Sequence, residues 1–394
     1  MLKEDIKELA KNNFSEVVSN RRHLHANPEL SFEEYNTSSF IKSKLDDLGI
    51  SYQSMADTGI VALIEGNQPS SNIIALRADI DALPIQEVEG REYGSKNSGV
   101  MHACGHDVHT SSLLGTAKIL SQLKDKFGGT IKLIFQPGEE KLPGGASIMI
   151  KEGVLENPTP QAVLGQHVMP FIETGKVGFR SGKYMASSDE IYVRVTGKGG
   201  HAAQPQQNID PIVITAHIIT ALQQIVSRIA DPKIPSVLSF GKIKADGATN
   251  VIPNDVYLEG TFRTFDETWR KKAHQKMKKM AEGMAESMGA ECEFEIRHGY
   301  PVLINEEKLT KSVRSYAADF LGEENIVDLD LWLAAEDFAY YSQSSNACFY
   351  RLGTANTSQG ITSAVHTPSF DIDENALQLG SGLMAYLAIK QLGN

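Results

Sequence analysis

The sequence predicts an α/β fold: a domain built on a largely parallel sheet, interrupted by a smaller α+β domain. Three observations predict it. The chain has 394 residues, more than one hydrophobic core serves comfortably, so two domains are expected. In its first half, β-rich runs alternate with amphipathic helical stretches, the pattern of parallel strands joined by crossovers. From about residue 186 the rhythm changes to strands in antiparallel order with two long helices among them.

Taken in order, MLKEDIKELAKNNF places Ile6, Leu9 and Phe14 on one stripe of a charged helix. GIVALIE, NIIALRAD, GTIKLIFQ and QAVLGQH follow as strands, separated by stretches such as TSSLLGTAKILSQLK. IYVRVTGK then reads as a strand, DPIVITAHIITALQQIVSRI as a helix, and SVLSFGKIKA with DVYLEGTFRTF as an antiparallel pair. TWRKKAHQKMKKMAEGMAESM reads as a helix and AECEFEIR as a closing strand, giving the order β-α-β-β-α-β of a split βαβ unit. After YPVLIN the outer pattern resumes, with NACFYRLG and a last helix from about Glu374. The architecture expected is a discontinuous α/β domain, residues 1–185 and 298–394, with an α+β domain inserted at 186–297. No internal repeat or low-complexity linker is visible.

Composition narrows the function classes. The chain is 41% hydrophobic and 22% charged, and 38 basic against 49 acidic residues give a net charge of -11. That balance argues against a nucleic-acid partner. No apolar run near the start resembles a signal peptide, and no later stretch reads as the roughly 20 apolar residues of a membrane span, so a cytoplasmic location and no membrane partner are expected. The three cysteines are an odd number of thiols in a reducing compartment, which argues against a disulfide framework. Cys292 and Cys348 sit in apolar strand-like runs, where a small buried thiol is the expected role.

Cys104 is different. Residues 101–110 read MHACGHDVHT, three histidines and a cysteine in ten positions. Ligands in open α/β sheets gather beyond the carboxyl ends of strands, and polar residues cluster at those points here. NIIALRAD ends on Asp79 and continues to Asp81; GTIKLIFQ runs into Glu139 and Glu140; QAVLGQ runs into His167; and NACFYRLG precedes a loop with His366. A helix expected from near Thr110 leaves Cys104 and His106 on a turn, two residues apart and able to converge. Thiolate, imidazole and carboxylate in this number exceed the needs of one four-coordinate ion, so two metals are expected. His102 and His109 have two readings, with His109 better placed to hydrogen-bond a ligand than to be one. Adjacent Glu139 and Glu140 cannot point at one atom if the backbone is extended; one can bind metal while the other takes a proton from water and later returns it to a leaving amine.

HACGHDVHT, QPGEE, GQHV, GKGGHAAQP, TNVIP, GTFRTFD, AAEDFAYY and HTPSFDIDE, in this order, resemble the M20 family of metallo-amidohydrolases, in the branch with hippurate hydrolases, N-acyl-amino-acid deacylases and auxin-conjugate hydrolases. The resemblance implies a catalytic domain with two divalent ions, manganese or zinc, and an inserted lid domain. It makes Cys104, His106, Glu140, His167 and His366 the metal ligands, with Cys104 bridging, and Glu139 the general base. Asp79 takes the place of an aspartate that orients a ligand. It further implies that His201 donates to the oxyanion and that Asn250 and Arg263 contact substrate, Arg263 by its forked affinity for a carboxylate. Arg263 could instead pair with a nearby acid, and Asn250 could hold the turn before Pro253.

Three departures bear on substrate choice: PGEE is followed by KLPGGA, Gln206 stands where a histidine is common, and His167 is followed by VMP. The function implied is hydrolysis of an N-acyl amino acid, with a carboxypeptidase or dipeptidase as the alternative, and pairing into a homodimer through the lid. Two other classes are open to test: a hydrolase with Cys104 as nucleophile and a thiol-based redox sensor.

Overall fold

The computed structural model describes residues 2–393, and the chain divides into two compact units. The first comprises Met1–Lys183, Ile304–Asp330 and Asp337–Asn394; the second comprises Tyr184–Leu303 and Leu331–Glu336.

Elements of the first unit begin with helices α1 (Leu2–Ala26) and α2 (Tyr35–Asp47). Strands β1 (Tyr52–Met55), β2 (Gly59–Glu65) and β3 (Gln68–Asp79) follow, then α3 (His106–Gln122), β4 (Gly128–Gln136), α4 (Gly145–Lys151), β5 (Ala162–Glu173) and β6 (Val177–Phe179). In the eight-stranded sheet the order is β1-β2-β4-β3-β5, continued by two strands from the end of the chain and β6. β3 runs parallel to β4 and to β5, whereas β2 meets β4 antiparallel.

Both faces of this sheet are covered, which is why its strands read as continuous apolar runs. Ile74, Leu76 and Ala78 of β3 and Ile131, Leu133 and Phe135 of β4 join one core cluster with α1 and α3. Offset by one residue, Arg77 and Lys132 point to the other face. There the Lys132 ammonium, buried and pushed down to about 8, donates to the carbonyls of Val154 and Glu156 at 2.7 Å.

The second unit opens with β7 (Gly182–Met185), where the chain crosses from the first. It holds β8 (Ser187–Thr196), β9 (Gly200–His201), α5 (Pro211–Leu222), β10 (Ser236–Lys244), β11 (Val251–Ile252), β12 (Asp255–Thr264), α6 (Glu267–Ser287) and β13 (Glu291–His298). Its four-stranded antiparallel sheet has the order β10-β12-β8-β13. Alternation along β8 sends Ile191, Val193 and Val195 to a core closed by Ile214, Ile218 and Leu222 of α5 and by Trp269, Ala273 and Met277 of α6. Asp210 and Asp266 cap the two helices, accepting from Ile212 N and Trp269 N at 2.9 Å each. On the sheet, the buried Asp189 accepts from Arg270 Nη2 at 2.7 Å and Nε at 2.9 Å, and from His274 Nε2 at 2.7 Å.

The chain re-enters the first unit within β14 (Leu303–Asn305) and adds α7 (Glu307–Leu321), β15 (Ile326–Asp328), α8 (Ala339–Ser344), β16 (Ala347–Ala355) and α9 (Asn375–Gln391). β16 lies parallel to β5, and α9 packs on α1 and α3.

Several expectations need correction. The second unit starts at Tyr184, runs to Leu303 and includes Leu331–Glu336, a segment the sequence reading placed in the outer domain. Trp332 is the reason: its N–H donates to Tyr184 O at 3.0 Å and its carbonyl accepts from Ala186 N at 3.1 Å. The helix expected over residues 210–229 is α5 followed by a π turn at Ile225–Ile229. By length and composition alone Pro211–Ile229 is also apolar enough to cross a membrane, against the expectation that no stretch was. Its Ile214, Ile218, Leu222 and Ile225 lie in the core of the second unit. Helix α3 begins at His106 rather than near Thr110. All three cysteines are free, but Cys292 is half-exposed; burial pushes its thiol up to about 11 and that of Cys348 to about 12.

Leu76→Ala opens a cavity at the centre of the sheet and is expected to destabilise the protein by about 2–5 kcal/mol, read from denaturant midpoints. Asp189→Ala leaves the buried Arg270 with Glu267 as its only ion-pair partner among the described residues, and we expect a loss of about 3 kcal/mol by the same measurement.

Candidate metal centre

The first unit gathers its acidic and imidazole side chains at one rim of the large sheet. Asp79 closes β3, and its cross-strand level is set by the parallel pairing of Arg77 with Gly165, which brings His167 of β5 alongside. His167 is therefore inside a strand rather than at its end, since β5 continues to Glu173. Cys104 precedes α3 and His106 opens it. Glu139 and Glu140 lie in the turn after β4, and His366 in the loop after β16.

These residues meet. Cys104 Sγ lies 3.5 Å from His167 Nε2 and 3.2 Å from His366 Nε2. Glu140 Oε1 lies 3.3 Å from His366 Nε2 and 3.9 Å from His106 Nε2. Two donor groups share Cys104, namely Cys104–His106–His167 and Cys104–Glu140–His366, each with its ligand atoms within 4.8 Å of one another, and a further group joins His106, Glu139 and Glu140. Within this cluster His106 Nε2 and Glu140 Oε1 are buried with no hydrogen-bond partner. Orphaned buried polar atoms of this type are costly unless something else binds them, and a soft thiolate with imidazoles and a carboxylate suits a divalent cation. The donor set fits a pair of such ions.

Electrostatics point the same way. Burial alone would push the His106 imidazole down, but Asp79, Asp81 and Glu140 overcome it and push it up to about 10. The negative potential that keeps a proton there would equally hold a cation. Against burial, His106, Arg77 and His109 hold Asp79 well below the usual carboxylate range. Burial, then Arg351, holds His167 well below the usual imidazole range, leaving its Nε2 basic lone pair toward Cys104. Its Nδ1 donates to Val168 O at 2.8 Å, which selects that tautomer.

Supporting contacts orient the cluster. Asp81 meets His106 Nδ1 at 3.1 Å through Oδ1, and its Oδ2 accepts from Ser31 Oγ at 2.6 Å and from Glu140 N at 3.0 Å. His109 is fully engaged away from the donor groups: Nδ1 lies 2.6 Å from Asp79 Oδ1, and Nε2 accepts from Val168 N at 2.9 Å. His102 is buried and pushed down to about 4, first by burial, and is thus a neutral core imidazole. His366 sits at φ +61°, a strained backbone for a non-glycine, with its N–H donated to Ala103 O at 2.7 Å.

The Glu139–Glu140 turn departs from the extended backbone assumed in the sequence reading, so both carboxylates reach one region. Glu139 Oε2 lies 4.0 Å and Glu140 Oε1 3.9 Å from His106 Nε2. Gly138 makes this possible: its φ is +59°, and a Cβ would come 2.3 Å from the Phe32 ring. Gly138 N donates to the buried carboxylate of Glu34 at 2.8 Å, and Glu34 also accepts from Thr58 Oγ1 at 2.7 Å.

The other three residues singled out from sequence lie in the second unit. His201 is exposed on β9, opposite Val251 of β11, and its Nδ1 accepts from Ala203 N at 3.1 Å, which leaves Nε2 outward. Gly200 beside it cannot carry a side chain, since a Cβ would lie 2.2 Å from Asn208 Oδ1. Asn250 is exposed and its carbonyl accepts from Ala202 N at 3.0 Å. Arg263 of β12 donates to Thr261 Oγ1 at 3.4 Å and Leu333 O at 3.3 Å, and among the described residues it forms no salt bridge. The acid pairing weighed for it is therefore absent.

Sequence reasoning missed Glu34, Arg77, Gln136 and Asp337, all buried around this rim. Only the EDF of AAEDFAYY offered a signal, since an acid beside a core aromatic needs a partner.

The matches to known proteins agree with this geometry. Residues 75–390 match the model for peptidase family M20/M25/M40. An N-acyl-L-amino acid amidohydrolase of Geobacillus stearothermophilus is 47% identical over 306 residues, 77% of this chain and 82% of that protein. A thermostable carboxypeptidase 2 of Saccharolobus solfataricus is 38% identical over 393 residues, 99% of this chain and 98% of that one. Among solved structures, the Bacillus subtilis YxeP protein, described as a dinuclear metal-binding M20 peptidase, is 36% identical, with a TM-score of 0.84 over 97% of this chain and 99% of its own. The match covers most of the chain and every donor described above, and the chain belongs to peptidase family M20/M25/M40 and is a hydrolase.

Proposed function

We propose that this protein cleaves the amide bond of N-acyl amino acids, releasing a carboxylic acid and a free amino acid, with two divalent ions per subunit, manganese or zinc. The observation that carries this reading is Cys104 Sγ, shared between two donor groups that end on His106 and His167 and on Glu140 and His366. When bound, the ions polarise the scissile carbonyl and acidify water. Glu139, 5% exposed at the edge of the cluster, takes a proton from the attacking water and passes it to the leaving nitrogen. Asp79 with His109, and Asp81 with His106, hold the imidazoles in one orientation.

From the second unit, acting as a lid, His201 donates through Nε2 to the oxyanion, while Asn250 and Arg263 contact the substrate, Arg263 at its carboxylate. Support for Arg263 is a forked cation that forms no ion pair among the described residues. A homodimer through this unit would cover exposed apolar side chains such as Ile212, Val213 and Ile243. A cytoplasmic location belongs to the same proposal.

Glu139→Gln should lower kcat at least about a thousandfold while bound metal, measured by elemental analysis, stays at the parent level. Glu140→Ala and His366→Ala should lose metal along with turnover; full stoichiometry in either would contradict the ligand roles.

A second reading has its own observation, because a thiol within 3.5 Å of two imidazoles is also the geometry of a cysteine nucleophile. Chelation separates the two. A chelator should abolish hydrolysis and manganese or zinc should restore it, measured on N-acetyl and N-benzoyl amino acids beside dipeptides. Activity that persists under chelation supports the thiol mechanism, and preference for dipeptides supports the carboxypeptidase or dipeptidase alternative.

A further inference from the structure

Asp337 is fully buried and has no place in the chemistry described so far. Its Oδ1 accepts from Arg77 Nη2 at 2.7 Å. Gln136 Nε2 donates to both carboxylate oxygens, at 2.9 and 2.7 Å, and Ala146 N donates to Oδ2 at 3.0 Å. Gln136 is the last residue of β4 and Ala146 lies in the first turn of α4, so one carboxylate ties together the two ends of the turn that carries Glu139. The turn is also closed on itself, with Gly145 N donating to Gly138 O at 3.0 Å. Arg77 extends the clamp, with Nε on Gln136 Oε1 at 2.9 Å and Nη1 on Asp79 Oδ2 at 2.5 Å.

The main chain of the same residue faces the reacting groups. Asp337 N–H donates to Glu139 Oε1 at 3.4 Å. Asp337 is also where the chain enters the first unit, directly after the Leu331–Glu336 segment of the second. With its side chain anchored at three points, its N–H is held at a fixed place beside Glu139.

We propose that Asp337 is a positioning residue for catalysis: its clamped side chain fixes a backbone N–H that selects the Glu139 carboxylate orientation facing the donor cluster. The inference rests on the reading of Glu139 as general base. Arg77, Gln136 and Ala146 all donate to the carboxylate, so an asparagine must turn its NH2 toward at least one of them and open the clamp. A general base displaced by about 1 Å costs on the order of a hundredfold in rate.

The test compares full-length parent, Asp337→Asn, Gln136→Met and Glu139→Gln, each loaded with the metal that best supports the parent, on an N-acetyl amino acid the parent cleaves. For Asp337→Asn we expect kcat to fall about 10–100-fold with KM within about threefold. Bound metal should match the parent, and a crystal structure should show the Glu139 carboxylate displaced or in more than one rotamer. An unchanged kcat alongside an inactive Glu139→Gln overturns the proposal, as does a parallel loss of kcat, KM and metal, which would mark Asp337 as merely structural. Parental turnover in Glu139→Gln overturns the base reading and this inference together. Should Asp337→Asn fail to fold, Gln136→Met keeps the Arg77–Asp337 ion pair while removing three bonds of the clamp, those from Gln136 Nε2 to both Asp337 oxygens and that from Arg77 Nε to Gln136 Oε1. It is expected to lose kcat about 3–10-fold at constant KM and metal, and an unchanged kcat there overturns the proposal.

Discussion

Negative charge packed into a space with little water governs the first unit. Carboxylate oxygens of Asp79, Asp81, Glu139 and Glu140 all lie within 4.0 Å of a His106 ring nitrogen, and Asp79, Asp81 and His106 are fully buried. Carboxylates at this density repel one another and lose hydration, so they persist only where cations answer them. Arg77 answers Asp79 and Asp337 from within the protein. His106 Nε2 and Glu140 Oε1 find no hydrogen-bond partner among the described residues, and this is the physical demand for divalent ions.

The sheet makes that density possible. Parallel strands β3, β4 and β5 release their carboxyl ends at one rim, so residues distant in sequence arrive at the same height without long loops. Strand interiors then serve as rigid mounts. His167 keeps its ladder register with Arg351 of β16 while presenting Nε2 to Cys104. Loops supply what strands cannot: the left-handed turn at Gly138 lets two consecutive glutamates face one region, and the strained His366 backbone lets a partly exposed ring reach Cys104. These departures from relaxed geometry sit at the site and are held by buried contacts nearby, Glu34 and Phe32 for the turn and Ala103 O for His366.

The second unit obeys simpler rules. One face of its antiparallel sheet is apolar and covered by α5 and α6, and the strands alternate accordingly. Its order of elements was readable because each strand and helix carries its own periodicity, and Asp210 and Asp266 mark the helix starts by capping chemistry alone. Its limits were less readable, because Leu331–Glu336 joins it through main-chain bonds of Trp332 that leave no compositional mark.

By itself the sequence determined the α/β class, the interrupted order of elements and the identity of the residues with coordinating power. Those properties are local: periodicity reports which face is buried, and cysteine, histidine and glutamate declare their chemistry wherever they occur. Only the tertiary structure decided how they are shared out. His106 and His109 are three residues apart on one helix turn, yet one turns an unpartnered nitrogen to the donor cluster and the other is spent on Asp79 and Val168. Likewise the roles of Arg77, Gln136 and Asp337 exist only once β3, β4 and residue 337 are brought side by side, because a buried charge is defined by its partners and those partners are up to 260 residues away.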